Sequence, residues 1–252
     1  MMRLRQLAGA AAALALGLLA GQAGAEDVPV DLELVLAVDV SGSVDPSEAR
    51  LQRGGYIAAL REPRVIEAIR GGTLGRVALT YVEWAGDDYQ RTVLDWALIE
   101  DADGALAFAD ALAEAPLQSA QWTSISAAID YARPRFDGNG FKGIRRVIDI
   151  SGDGYNNHGR PVETARDEAV AAGITINGLP IVNDRPNPWG SLPPKDLDRY
   201  FEDRVIGGPG AFIVVANDYS AFASAILSKL LLEIAGDRGK DARLRHVAIA
   251  TR

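Results

Sequence analysis

Cysteine is absent from the chain, and histidine occurs only as His158 and His246. The first absence removes disulfide frameworks, zinc–thiolate sites, iron–sulfur clusters and cysteine nucleophiles. The second removes a histidine-rich metal site. Positive charge is also in short supply, because 26 Lys and Arg against 34 Asp and Glu leave a formal charge of −8. That balance excludes the concentrated basic surface a nucleic-acid binder needs. Beyond the first 25 residues no hydrophobic run is long enough to read as a membrane span. What remains is 252 residues, 48% hydrophobic and 24% charged, the profile of an ordinary globular chain with room for a sizeable core. Any chemistry it performs must run on oxygen ligands.

Residues 1–25 read as an export signal. Arg3 and Arg5 precede an almost unbroken apolar run from Leu7 to Leu19, and Ala23-Gly24-Ala25 supplies the small-x-small pattern of a cleavage site. The apolar stretch is short for a transmembrane anchor. Cleavage after Ala25 would leave residues 26–252 and, with the two arginines gone, take the formal charge from −8 to −10. The expectation is a bacterial protein exported to the periplasm or beyond, with no stable membrane insertion once the signal is removed.

Strand-like and helix-like segments then alternate. Leu32–Val38 is a short branched apolar run, as in a strand buried on both faces. Asp45-Pro46-Ser47-Glu48 reads as a capped helix start, with Pro46 at the first helical position and Glu48 at the capping-box position. Val77–Trp84 and Thr92–Ile99 are strands joined by so short a link that they must be antiparallel. Helices follow at 103–115 and 123–132, a strand at 145–150, a helix at 162–172 and a strand at 174–181. The segment 183–210 is rich in proline and glycine around one short helix at 195–205. A strand at 211–216 and a helix begun by Asp218, with Phe222, Ile226, Leu230 and Ile234 on one stripe, complete the pattern. The expected architecture is one α/β domain over 26–236, doubly wound. Its mostly parallel sheet has six strands, one of them an antiparallel edge, and helices on both faces. A frayed basic tail over 237–252 would follow.

In such sheets ligands gather at the carboxyl ends of the strands, where strand order reverses. The sequence places Asp39, Ser41 and Ser43 there after the first strand, in the spacing D-x-S-x-S, with Thr123 and Asp153 at two other loops. Two carboxylates and three hydroxyls on one rim suit a hard divalent cation, which takes oxygen ligands and keeps some waters. Mg²⁺ fits first, with Mn²⁺ or Ca²⁺ as alternatives. Each residue alone also has a plainer use, since Asp and Ser are turn formers and Thr123 could cap its helix.

The stretch LVLAVDVSGSVD resembles the first strand and metal-binding loop of the von Willebrand factor type A domain. The resemblance covers residues 31–235 and implies a Rossmann-like fold with strand order 3-2-1-4-5-6. It also implies a complete metal-ion-dependent adhesion site of Asp39, Ser41, Ser43, Thr123 (in QWTSISAAI) and Asp153 (in VIDISGDG). A partner's carboxylate completes such a site in that family. Gly152 stands where the family often has threonine, and segment 183–210 is longer than usual. The stand-alone layout and VIGGPGAF (Val205–Phe212) resemble a bacterial branch of the family without an assigned function.

Three functions compete. The first is a metal-dependent module that binds a partner protein through a carboxylate, with Trp84, Asp87, Trp122, Tyr155, Asn156, Asn157 and His158 as its rim. The second is a metal-dependent hydrolase or phosphoryl-transfer enzyme. Against it, Ser41 stands where an aspartyl-phosphate enzyme would have a second aspartate, and neither a P-loop nor a G-x-S-x-G elbow is present. The reading is therefore not an enzyme. The third is an interaction subunit with a purely structural metal and segment 183–210 as its contact surface.

Overall fold

The computed structural model describes residues 26–183, 185, 186, 190, 192–219, 221–236 and 246–249, the last four by backbone alone. The export signal expected at 1–25, and all of the expected tail except 246–249, lie outside these residues. Among the described residues, no helix is long and apolar enough to cross a membrane.

The central sheet is ordered β3-β2-β1-β4-β5-β6-β7. Its strands are β1 (Val28–Asp39), β2 (Val77–Trp84), β3 (Gln90–Ile99), β4 (Phe141–Gly152), β5 (Thr175–Pro180), β6 (Ile213–Ala216) and β7 (His246–Ile249). All neighbours are parallel except β2 and β3, which form the expected antiparallel hairpin and edge. The six expected strands thus appear in the expected order. A seventh, β7, pairs with β6 in parallel and comes from the segment expected to be a frayed tail.

The helices are α1 (Pro46–Leu60), α2 (Pro63–Arg70), α3 (Ala102–Glu114), α4 (Ile125–Ala132), α5 (Val162–Ala171), α6 (Leu197–Tyr200) and α7 (Phe222–Ala235). α6 widens directly into one π-helical turn over Phe201–Val205. The strand pleat divides the core in two. Leu32, Leu34, Leu36 and Val38 of β1 pack with α1, α2, α3 and α7, whereas Val35 and Ala37 pack with α4, α5 and the π turn.

The start of α1 forms as the sequence demands. Asp45 accepts from the backbone of Ser47 (2.6 Å) and Glu48 (2.9 Å), and Glu48 returns the bond to the Asp45 N–H at 2.9 Å. Such a cap is worth about 1 kcal/mol and anchors the end of the loop that begins at Asp39. β1 and β4 lie side by side, and the chain runs outward from them in opposite directions. The strand order therefore reverses between them, beside the carboxyl ends where Asp39 and Asp153 sit.

Candidate metal centre

Asp39 ends β1 in the register of Trp84 on β2, while its other neighbour β4 ends at Gly152. The Asp39 carboxylate is fully buried. Its Oδ1 accepts from the backbone N–H of Ser41 at 2.7 Å, and its backbone carbonyl accepts from Gln52 Nε2 at 2.9 Å. Its Oδ2 is buried without a hydrogen-bond partner. Ser41 and Ser43 face each other through their hydroxyls at 3.0 Å, and Ser43 donates to Asp153 Oδ1 at 2.6 Å. Four of the five expected ligands are thus adjacent or share one chain of hydrogen bonds.

Thr123 is held in the same place by backbone bonds. Its N–H donates to Asn157 Oδ1 at 2.9 Å, and its carbonyl accepts from the N–H of Asn157 (2.8 Å) and His158 (3.2 Å). The cap of α4 is Ser124, whose hydroxyl accepts from Ala127 N–H at 3.3 Å. Thr123 is therefore not used as a helix cap. With Ser43 and Asp153 it lines a cavity of about 960 Å³.

Electrostatics explain what this arrangement lacks. Burial pushes the Asp39 carboxyl well above its ordinary range, and repulsion from Asp153 pushes it further, against the Ser41 hydrogen bonds. Burial also raises Asp153, opposed by donation from Ser43 and Tyr219. Two buried carboxylates close enough to repel each other favour a bound cation or a shared proton. Among the described residues no three His, Cys, Asp or Glu side chains converge as a metal cluster. A cation here would lean on hydroxyls as much as on charge. The orphaned Asp39 Oδ2, the second buried carboxylate and the hydroxyl chain together form a donor set that fits a small hard divalent ion.

The expected rim divides. Trp122 is 57% exposed, lines the cavity and stacks on His158 with ring centres 5.3 Å apart. His158 Nδ1 lies 2.8 Å from Asp87. Tyr155 and Asn157 line the cavity as well. Tyr155 bonds Asp196, with its ring against Tyr200. Asn156 serves the scaffold, accepting from Ser126 N–H at 2.9 Å and donating to the carbonyls of His158 and Arg160. Trp84 is not on the rim. It is fully buried under the site, in the core with Val82 and Ile150. The pleat decides this, since Val82 and Trp84 share one face of β2 and Val82 already points into the core.

Four contributing residues were not among the expected site residues. Gln52 holds the Asp39 carbonyl, Tyr219 donates to Asp153 Oδ2 at 3.3 Å, and Arg185 and Leu192 from segment 183–210 line the cavity. Tyr219 follows β6, so the rule that strand carboxyl ends feed the site could have found it.

Residues 29–238 match the model of a family described as "Protein of unknown function (DUF1194)". The chain belongs to that family. Among solved structures it resembles proximal thread matrix protein 1 of the mussel byssus with a zinc-occupied metal-ion-dependent adhesion site (MIDAS). That match has a TM-score of 0.61 and 14% identity over 84% of this chain and 50% of the mussel chain. It also resembles BatB from Bacteroides thetaiotaomicron (0.52, 21% identity, 79% and 98% covered) and a von Willebrand factor type A protein from Catenulispora acidiphila (0.54, 15%, 81% and 43%). The fold is that of von Willebrand factor type A domains. The chain spans about half the length of the mussel protein. No curated protein matches it.

Proposed function

We propose that the protein is a metal-dependent binding module that holds a divalent cation through Asp39, Ser41, Ser43, Thr123 and Asp153 and recruits a carboxylate of a partner protein. The observation that carries this reading is the buried, unpartnered Asp39 Oδ2 in a site that holds a second buried carboxylate, Asp153, at the wall of an open cavity. Unpaired buried charge is expensive unless a cation compensates it. The mussel relative's zinc-occupied site supports a divalent ion in this fold. The all-oxygen donor set favours Mg²⁺ over zinc in this chain. Two carboxylates leave a divalent ion with open coordination positions and a pull on anionic oxygen from outside.

In this reading the residues of the chain divide the work. Asp39 and Asp153 supply charge, the three hydroxyls complete the shell, and Asn157 locks the Thr123 loop to the Asp153 loop. Trp122 and Tyr155 offer the aromatic surface that recognition sites use. His158 is engaged by Asp87 and Trp122. Segment 183–210 contributes Asn183, Arg185, Pro186, Leu192, Pro193 and Pro194 to the same cavity, so contact through that segment and contact through the metal share one surface.

Calorimetric titration with Mg²⁺ and Mn²⁺ tests the metal, and Asp39→Asn is expected to abolish uptake. Partner capture is expected to fall at least tenfold with EDTA. Capture unchanged by chelation and by Asp39→Asn would overturn the reading. Capture lost only on deletion of 183–194, with metal uptake intact, would favour a structural metal.

A further inference from the structure

Asp153 is gripped from two directions, and only one of them belongs to the metal loop. Ser43 donates to Oδ1 at 2.6 Å, while the phenol of Tyr219 donates to Oδ2 at 3.3 Å. Tyr219 stands in the turn between β6 and α7, outside the three loops that carry the five candidate ligands. It is 4% exposed.

The ring has little freedom. It stacks on Phe222 with centres 6.4 Å apart, and Phe222 meets Tyr56 edge-on at 5.8 Å. The Tyr56 hydroxyl reaches Ser151 on β4 at 3.3 Å. Asp218 accepts from Ala221 N–H at 2.8 Å, which fixes the turn carrying the tyrosine. Packing therefore sets the ring, and the ring sets where the hydroxyl points. A carboxylate tethered at one oxygen cannot rotate freely about its own axis. With Oδ2 held by Tyr219, Oδ1 stays turned toward Ser43 and its partner Ser41.

We propose that Tyr219 is a positioning residue of the metal centre, a fourth-loop member that orients Asp153 for the cation without touching it. The proposal rests on the reading of this site as a cation site. Partners that orient a ligand typically change metal affinity 10–100-fold when removed. The tyrosine also ties the centre to the start of α7, so the last helix of the fold and the ion share one carboxylate.

Mn²⁺ alone, titrated calorimetrically into the wild type and into Tyr219→Phe, Phe222→Leu and Asp153→Asn, tests this, with Tm in EDTA as a separate readout. Tyr219→Phe keeps the ring and its stacking and removes only the hydroxyl. It is expected to weaken Mn²⁺ about tenfold while Tm in EDTA moves by no more than about 2 °C. Phe222→Leu keeps the hydroxyl and only loosens the packing that aims it, so it is expected to lower Tm by several degrees and to weaken Mn²⁺ clearly less than Tyr219→Phe does. Equal loss of affinity in both variants would overturn the proposal, because packing alone would then account for it. So would unchanged affinity in Tyr219→Phe beside lost binding in Asp153→Asn. A wild type that takes up no Mn²⁺ would overturn the cation reading itself and this inference with it.

Discussion

Gly152 decides how near β4 comes to the first candidate ligand. A β-carbon added there would lie 3.0 Å from Asp39 Oδ2 and 3.3 Å from the Trp84 ring. A larger side chain at this position would meet the Asp39 carboxylate and the Trp84 ring first. Gly152→Ala must therefore push the Asp39 carboxylate or the indole aside by a few tenths of an ångström. The expected result is a metal affinity lowered about tenfold, by displacement of a ligating oxygen. Mn²⁺ titration checks it, and unchanged affinity would mean that the indole, not the carboxylate, gives way. Trp122 makes the complementary case. Its φ of 66° is the left-handed region, unfavourable for a bulky residue by about 1–2 kcal/mol. The backbone on either side is pinned: Gln121 O accepts from Gly86 N–H at 2.9 Å, and Ser124 N–H donates to Ala85 O at 2.6 Å. The strain holds a largely exposed indole at the cavity mouth, stacked on His158. Trp122→Gly is expected to raise stability in EDTA by about 1 kcal/mol, leave Mn²⁺ affinity unchanged and weaken partner capture. Denaturant melts paired with a pull-down separate these effects.

β4 and α7 are joined by polar contacts along their length, on the face of the sheet opposite Gly152. Arg145 donates to the carbonyl of Ile234 at 3.3 Å near the end of the helix, and Lys229 Nζ lies 2.5 Å from Asp149 Oδ1 at its middle. Tyr219 then meets Asp153 just before the helix begins. The middle contact is fully buried, and Lys229 also donates to Glu233 at 2.5 Å, so one cation sits between two carboxylates. Burial, and then Glu233, push the Asp149 carboxyl up to about 7, against the pull of Lys229. An acid whose folded value lies above its unfolded value of about 3.9 binds more protons when folded. Stability from this group is therefore fully present below about pH 4 and is lost as pH rises toward 7, by roughly 1 kcal/mol per unit. Asp149→Asn is expected to remove that part of the slope, read from urea melts in EDTA at pH 5 and 7.5. Lys229→Met is expected to lose about 3–5 kcal/mol at pH 7.5, because two buried carboxylates would be left without a cation, Glu233 keeping only the Asn177 amide. The sequence reading reached the apolar stripe of α7 and missed this joint. A lysine beside Leu230 reads as a solvated end of the stripe until the strand that covers it is known. The caps and strands were legible for the opposite reason, since Asp45-Pro46-Ser47-Glu48 and the run at Leu32–Val38 encode their structure locally.

Across the whole molecule the same division holds between what is local and what needs the fold. The five candidate ligands could be proposed from one short motif and two loop positions, because strand ends converge at a reversal of strand order. The rim could not, because exposure depends on the pleat: Trp84 and Trp122 looked alike, yet one is fully buried and the other 57% exposed. The strand β7 was missed because its four residues follow a basic stretch and pair with β6 across the whole length of α7. The start of the chain carries the last prediction. β1 begins at Val28, whose N–H donates to Gly140 O at 2.8 Å, so the sheet starts three residues after Ala25. Cleavage after Ala25 would remove nothing that the described fold uses and would leave Glu26 as the first residue. Intact-mass spectrometry of the protein expressed in a bacterial host is expected to find the chain beginning at Glu26, in the periplasmic fraction or the medium. A chain retaining residues 1–25 and sedimenting with membranes would show instead that the apolar run from Leu7 to Leu19 anchors the protein, with the candidate metal centre at the far, carboxyl end of β1.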